Sequence, residues 1–412
     1  MIDLSEHDII DVHTHRPEKK TMTETYESWT PNFVESMIPS YDFDNKKKLQ
    51  KHLYEVFSKH MQFGSPRVRG LLNYVSKTNG CKPSVKELDN IISKNIHDNF
   101  GEYLKSVMGR EKITNVVLDL SRLVDHPVGA IGDMPSDRTK WTYNIGPLLQ
   151  PKSIEERGTR SIGEAANMVN EVVQEAVKNG CAGLKNSMAY FRPLSITQVN
   201  EEQADEALKW ILTNEPKSFT SFPTQIPRYN DPKGARMLRT YQDYILTKIY
   251  ASAGKVNMPF LIHIASALHP ALTPEYNNPL GLYSVLANEQ IREAGTTFII
   301  LHTGYPLHHQ VATILSQFPN VYADVSFFSQ YPAILEEVLR TFLQLAPPQK
   351  VMHGSDSNSM VEVMAYSAYN TKRILSKVLN DFAKDYEWTE DQCLSTARMV
   401  LSENAKRIFN IN

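Results

Sequence analysis

The stretch Asp8-Ile9-Ile10-Asp11-Val12-His13-Thr14-His15 joins a short, β-branched apolar run to two histidines at alternate positions. Read as a strand, it sends His13 and His15 to one side, where both imidazoles can face a single cation at the strand end. Asp11 adds a carboxylate placed to orient an imidazole. Paired histidines at a strand end are about as often hydrogen-bonded structural groups as ligands, so the pair takes its meaning from the rest of the chain.

Runs of the same kind recur downstream at residues 114–120, 141–145, 180–185, 259–263, 297–302, 320–324 and 351–356, which with 8–13 makes eight. They alternate with amphipathic stretches at 162–178, 200–212, 238–251 and 334–345, and a last one opens on the capping-box pattern Thr389-Glu390-Asp391-Gln392. Apolar strands alternating with helices predict an α/β fold, a (β/α)₈ TIM barrel, somewhat distorted, in a single domain over residues 1–412. Residues 16–110 are too long for one βα connection and carry helical patterns around 49–60 and 83–96. They predict a helical insertion after strand 1. Such loops lie at the C-terminal face of a barrel, so the insertion is expected to roof the active site.

Several runs end in a polar group: Phe260-Leu261-Ile262-His263, Ile299-Ile300-Leu301-His302, and His353-Gly354-Ser355-Asp356. Any one alone reads as a satisfied core histidine or a helix-capping aspartate. Together with His13 and His15 they would converge on one volume at the barrel mouth, and imidazole plus carboxylate ligands suit zinc, manganese or iron.

In this order the residues resemble the amidohydrolase superfamily, whose pattern is a first-strand His-x-His, a fourth-strand lysine, fifth- and sixth-strand histidines and an eighth-strand aspartate. His13, His15, Lys185, His263, His302 and Asp356 match it residue by residue. Within the superfamily the chain is similar to the amidohydrolase-related group, especially the domain fused in some plants and fungi to a glutamine-synthetase-like domain. Ala182-Gly183-Leu184-Lys185, His302-Thr303-Gly304-Tyr305-Pro306 and Phe318-Pro319-Asn320-Val321-Tyr322-Ala323-Asp324-Val325 carry that likeness.

The resemblance implies a divalent metal, zinc first, with manganese or iron as alternatives and one or two ions, held by the six matched residues. It implies a hydrolase in which Asp356 is both ligand and base, acting on an amide or related C–N bond of a small carboxylate-bearing substrate. Relatives that resemble decarboxylases, lactonases or isomerases give a second reading, and a catalytically silent metal-binding barrel gives a third. Lys185 has three readings: carboxylated and bridging two metals, binding a substrate anion as an ammonium, or pairing with Asp356. Inside a barrel mouth it requires a partner of some kind.

Arg192 follows strand 4 and is a candidate for a two-pronged grip on a substrate carboxylate, with a solvated loop arginine as the plainer reading. Tyr190 and Tyr305 are candidates to line the pocket. His269, His308, His309 and His353 read as structural or solvent-exposed.

With 44 basic and 46 acidic residues the net charge is -2, which gives no reason to expect nucleic acid or an anionic membrane as partner. A small-molecule substrate is expected, and homo-oligomer formation is left open. Three scattered cysteines suggest no disulfide framework, and a cytoplasmic setting follows as the default. The first residues lack a secretory pattern, and no window approaches the roughly 20 apolar residues of a membrane span.

Overall fold

The structure, a computed structural model, describes residues 2–17, 66–120, 131–214, 218–219, 227–229, 231–264, 274–357 and 360–412. Eight parallel strands follow one another around a barrel. They are β1 (Ile9–His15), β2 (Ile113–Asp119), β3 (Thr139–Asn144), β4 (Gly183–Asn186), β5 (Phe260–His263), β6 (Phe298–Leu301), β7 (Val321–Asp324) and β8 (Val351–Met352). Each pairs with the next. Between β8 and β1 the backbone bonds run from Val12 N–H to the His353 carbonyl at 3.0 Å, and from Asp356 N–H to the His13 carbonyl at 2.8 Å. The fold is thus the expected distorted (β/α)₈ barrel.

Its principal helices are α1 (Pro66–Asn79), α2 (Val85–Arg110), α3 (Ile162–Lys178), α4 (Glu201–Thr213), α5 (Pro232–Lys255), α6 (His308–Gln317), α7 (Pro332–Leu345), α8 (Val361–Asp385) and α9 (Glu390–Arg398). Their ends follow local chemistry. Ser161, Asn200 and Thr389 form capping boxes with Glu164, Gln203 and Gln392. Asp231 caps α5, with Pro232 in its first turn. α5 is longer than the expected 238–251, and α8 fills a place where no helix was expected.

Of the segment read as a roof, the helical pattern at 49–60 lies outside the described residues. α2 leads directly into β2 and, like α1, packs against α8. Arg67, at the start of α1, reaches the loop after β7, where its guanidinium donates to Gln330 Oε1 at 3.0 Å and to the Tyr331 hydroxyl at 2.8 Å.

Two apolar layers divide the strand residues. Val116, Ile262 and Ile300 pack with the helices, while Ile10, Val12, Val117, Leu261, Ile299, Leu301 and Met352 form a separate cluster with Phe409 and Ile411. Strict alternation would put Ile10 and Val12 on one side of β1 and His13 and His15 on the other. The register between β1 and β2 slips by one residue between Asp11 and Thr14. Such a bulge re-aims the side chains that follow it, and His13 and His15 thereby join the barrel mouth.

No helix among the described residues is long and apolar enough to cross a membrane. Cys81, Cys181 and Cys393 are free thiols.

Candidate metal centre

Beyond the ends of β6 and β8 the chain turns sharply to present polar side chains. His302, Thr303 and Asp356 have φ of 61°, 61° and 51°, left-handed values that a non-glycine residue adopts at a cost of order 1–3 kcal/mol each. Surrounding hydrogen bonds fix them. Asp324 Oδ1 accepts from the His302 N–H at 2.8 Å and from the Ser326 hydroxyl at 2.9 Å. Ser326 Oγ lies 2.9 Å from His302 Nδ1.

The strand ends bring the matched residues together. Asp356 Oδ1 lies 3.3 Å from His13 Nε2 and 3.2 Å from His15 Nε2, and its Oδ2 lies 3.8 Å from His302 Nδ1. The His302 ring sits 5.0 Å from His13 and 4.5 Å from His263, centroid to centroid. Ligand-type atoms of His13, His302 and Asp356 lie within 4.8 Å of one another, as do those of His13, His15 and Asp119.

Burial sets the charge states. It pushes His13 down to about 4, helped by the Lys185 ammonium, and His263 down to about 3 for the same two reasons. His302 is lowered as well, again by burial first. All three are neutral imidazoles at pH 7, the form that binds metal. For Asp356 burial alone would favour the neutral acid, but His302, His13 and His15 together outweigh it and hold it below the usual carboxylate range. Asp11 and Asp324, buried with fewer compensating partners, are pushed up to about 7.

These groups fit a divalent cation. His263 Nε2 is buried with no hydrogen-bond partner among the described residues, a costly state for an imidazole nitrogen unless something else satisfies it. The donors around it are the neutral imidazoles and carboxylate that zinc, manganese and iron accept.

The remaining candidates fall in several places. Lys185 pairs with Asp119 at the end of β2, a partner the sequence reading did not identify, rather than with Asp356. Burial opposes the Asp119 charge, and Lys185, with His15 and His13, more than compensates, leaving it well below the carboxylate range. Tyr190 lies over His263 at 4.5 Å between centroids. Tyr305 sits further out, its ring on Phe328 at 4.7 Å and His308 at 5.8 Å.

Arg192 is buried and donates to Asp243, to the Ser195 carbonyl at 2.9 Å and to the Pro193 carbonyl at 3.3 Å. Its guanidinium is engaged by the protein itself and is no solvated loop group. Asp11 differs from expectation too: its Oδ1 accepts the backbone N–H groups of His13 at 3.2 Å and Ser355 at 2.9 Å, tying β1 to β8 rather than orienting an imidazole. His353 is buried against Thr371, its Nδ1 3.0 Å from the hydroxyl, and His269 lies outside the described residues.

Sequence reasoning missed Asp119, Asp324 and Ser326. Asp324 closes the run 320–324, the same signal that picked out His263, and Asp119 stands one place before the end of the run read as 114–120.

The family model described as amidohydrolase matches residues 186–411, more than half of the chain. Protein fluG of Emericella nidulans (strain FGSC A4) is 26% identical over 140 residues, which are 33% of this chain but only 16% of that protein's length. Among solved structures, a candidate metal-dependent hydrolase from Lactobacillus casei ATCC 334 superposes with a TM-score of 0.72 at 16% identity, over 100% of this chain and 98% of that one. A uronate isomerase from Thermotoga maritima gives 0.68 at 15% identity, over 98% and 95%.

Proposed function

Because the chain belongs to the amidohydrolase family, we propose that it is a metal-dependent hydrolase acting on an amide or related C–N bond of a small carboxylate-bearing molecule. The observation that supports this most directly is the convergence of His13, His15, His263, His302 and Asp356, in which burial keeps His13, His263 and His302 neutral beside an ionised Asp356. These five residues would hold a divalent ion, zinc first. Such an ion lowers the pKa of water towards about 7 and polarises a carbonyl.

Asp356 accepts a proton from the water that attacks the carbonyl carbon. As the C–N bond breaks, the same carboxyl returns the proton to the departing nitrogen. Its position opposite His13 and His15 holds it ionised for the first step. The Lys185–Asp119 pair sets a positive group 3.3 Å from His13 Nε2 and so helps to keep that imidazole neutral. Tyr190, packed on His263, forms part of the substrate-facing wall.

The same residues would serve decarboxylation, lactone hydrolysis or isomerisation of a carboxylate-bearing compound. A substrate panel scored for amine release, carbon dioxide release and isomerisation separates these. The hydrolase reading predicts amine release that is lost in Asp356→Asn, and activity confined to the other readouts would overturn it.

A further inference from the structure

Outside the barrel mouth a second group of ligand-type side chains bridges two helices of the outer ring. His308 and His309 are the first two residues of α6, and Glu337 lies in the second turn of α7. His308 Nε2 is 3.3 Å from Glu337 Oε1, and the two histidine rings are 4.4 Å apart. One ligand atom from each of the three residues falls within 4.8 Å of the others.

The burial is uneven. The His308 side chain is 3% exposed; its neighbours are the Glu337 carboxylate and the Pro306 carbonyl, but among the described residues neither ring nitrogen completes a hydrogen bond of good geometry. The Glu337 side chain is 54% exposed, and His309 is exposed too. A buried imidazole has one donor and one acceptor to satisfy, and each left unmade costs about 1–3 kcal/mol. Tyr305 stacks on His308 with an interplanar angle of 11°, which fixes the ring's plane but offers its nitrogens nothing.

We propose that His308, His309 and Glu337 form a second metal site, which takes a borderline divalent ion such as zinc from solution and clamps α6 to α7. Two imidazoles and a carboxylate are a ligand set that zinc accepts, with its remaining position filled by water. The exposed faces of His309 and Glu337 give the ion its entry path. Burial, followed by the neighbouring His309, lowers His308, against the opposing pull of Glu337 and the Pro306 carbonyl, so the ring is in its metal-binding form at neutral pH. The site is independent of the barrel centre and of the proposed reaction.

The test is equilibrium dialysis against zinc, with bound metal counted by elemental analysis and folding checked by circular dichroism. Wild type, His309→Ala, Glu337→Gln, the double variant and Asp356→Asn are compared. Both substituted side chains are exposed, so these variants keep the fold. The double variant is expected to hold one ion fewer than wild type, and each single variant to bind that ion at least about tenfold more weakly, or ~1.4 kcal/mol. Asp356→Asn should leave it unaffected. Equal stoichiometry and affinity in wild type and the double variant would overturn the proposal.

Discussion

Lys185 is paired with Asp119 inside the barrel mouth, with both side chains buried and the Lys185 Nζ also 3.3 Å from His13 Nε2. Removing either partner leaves the other as an uncompensated buried charge, which costs about 3–5 kcal/mol. Lys185→Met and Asp119→Asn are therefore each expected to lower the unfolding free energy by that order. The double variant should lose clearly less than the sum. Urea denaturation of the four proteins measures the coupling, and strict additivity would show that the pair does not act as a unit.

Arg192 is held by Asp243 of α5, and Asp243 also accepts from the Thr197 backbone at 2.8 Å and from Arg239 at 3.1 Å. Arg192→Ala is expected to cost about 1–3 kcal/mol of stability by removing one charged donor from Asp243, which keeps Arg239 and Thr197. If the residue instead gripped substrate, the variant would keep its melting temperature and raise KM. Thermal unfolding beside steady-state kinetics separates the two.

Gly354 is the close-approach residue between β8 and the loop after β7. A Cβ there would stand 2.7 Å from Asp324 Oδ2 and 2.8 Å from the Ser326 Cβ. Those two residues hold His302 in its left-handed turn, so Gly354→Ala should push on the centre as well as the core. The expected loss is about 1–3 kcal/mol, accompanied by weaker metal retention. Unchanged retention in a destabilised variant would detach Asp324 and Ser326 from the positioning of His302.

Glu362, fully buried at the start of α8, accepts from the Tyr103 hydroxyl at Oε1 and has no partner at Oε2 among the described residues. Burial raises it from 4.5 to about 7. The folded state thus favours the protonated acid. This contribution is fully present below about pH 4.5 and is lost as pH rises through 7. Glu362→Gln, which stays neutral, should match wild type near pH 4 and exceed it by about 3 kcal/mol at pH 8. Denaturant midpoints at the two pH values check the sign, and a difference independent of pH would remove the titration from the explanation.

The barrel and most of its centre were legible because most strands are apolar runs and several of these lead into a polar residue, and that pattern survives without knowledge of contacts. What was not legible depends on pairings distant in sequence. Asp119 takes its meaning from Lys185, 66 positions away, and Asp11 from the backbone of Ser355, 344 positions away. The bulge that turns His13 and His15 inward breaks the alternation a strand reading assumes. α8 escaped because Glu362, Ser367, Asn370, Thr371 and Lys372 are buried among its apolar residues and blur the helical period. Lys372, for example, donates to the backbone carbonyls of Ser5 at 3.0 Å and Glu111 at 2.8 Å.

The central claim is that His13, His15, His263, His302 and Asp356 hold a divalent ion in the barrel mouth. Elemental analysis tests it most directly, made after exchange into metal-free buffer and reloading with zinc, manganese or iron(II), in the His309→Ala/Glu337→Gln background so that the outer cluster does not contribute. The account predicts at least one tightly held ion per chain, lost on adding His263→Ala or Asp356→Asn while the circular dichroism spectrum is unchanged. Metal content that is negligible, or that is the same with and without those substitutions, would contradict it.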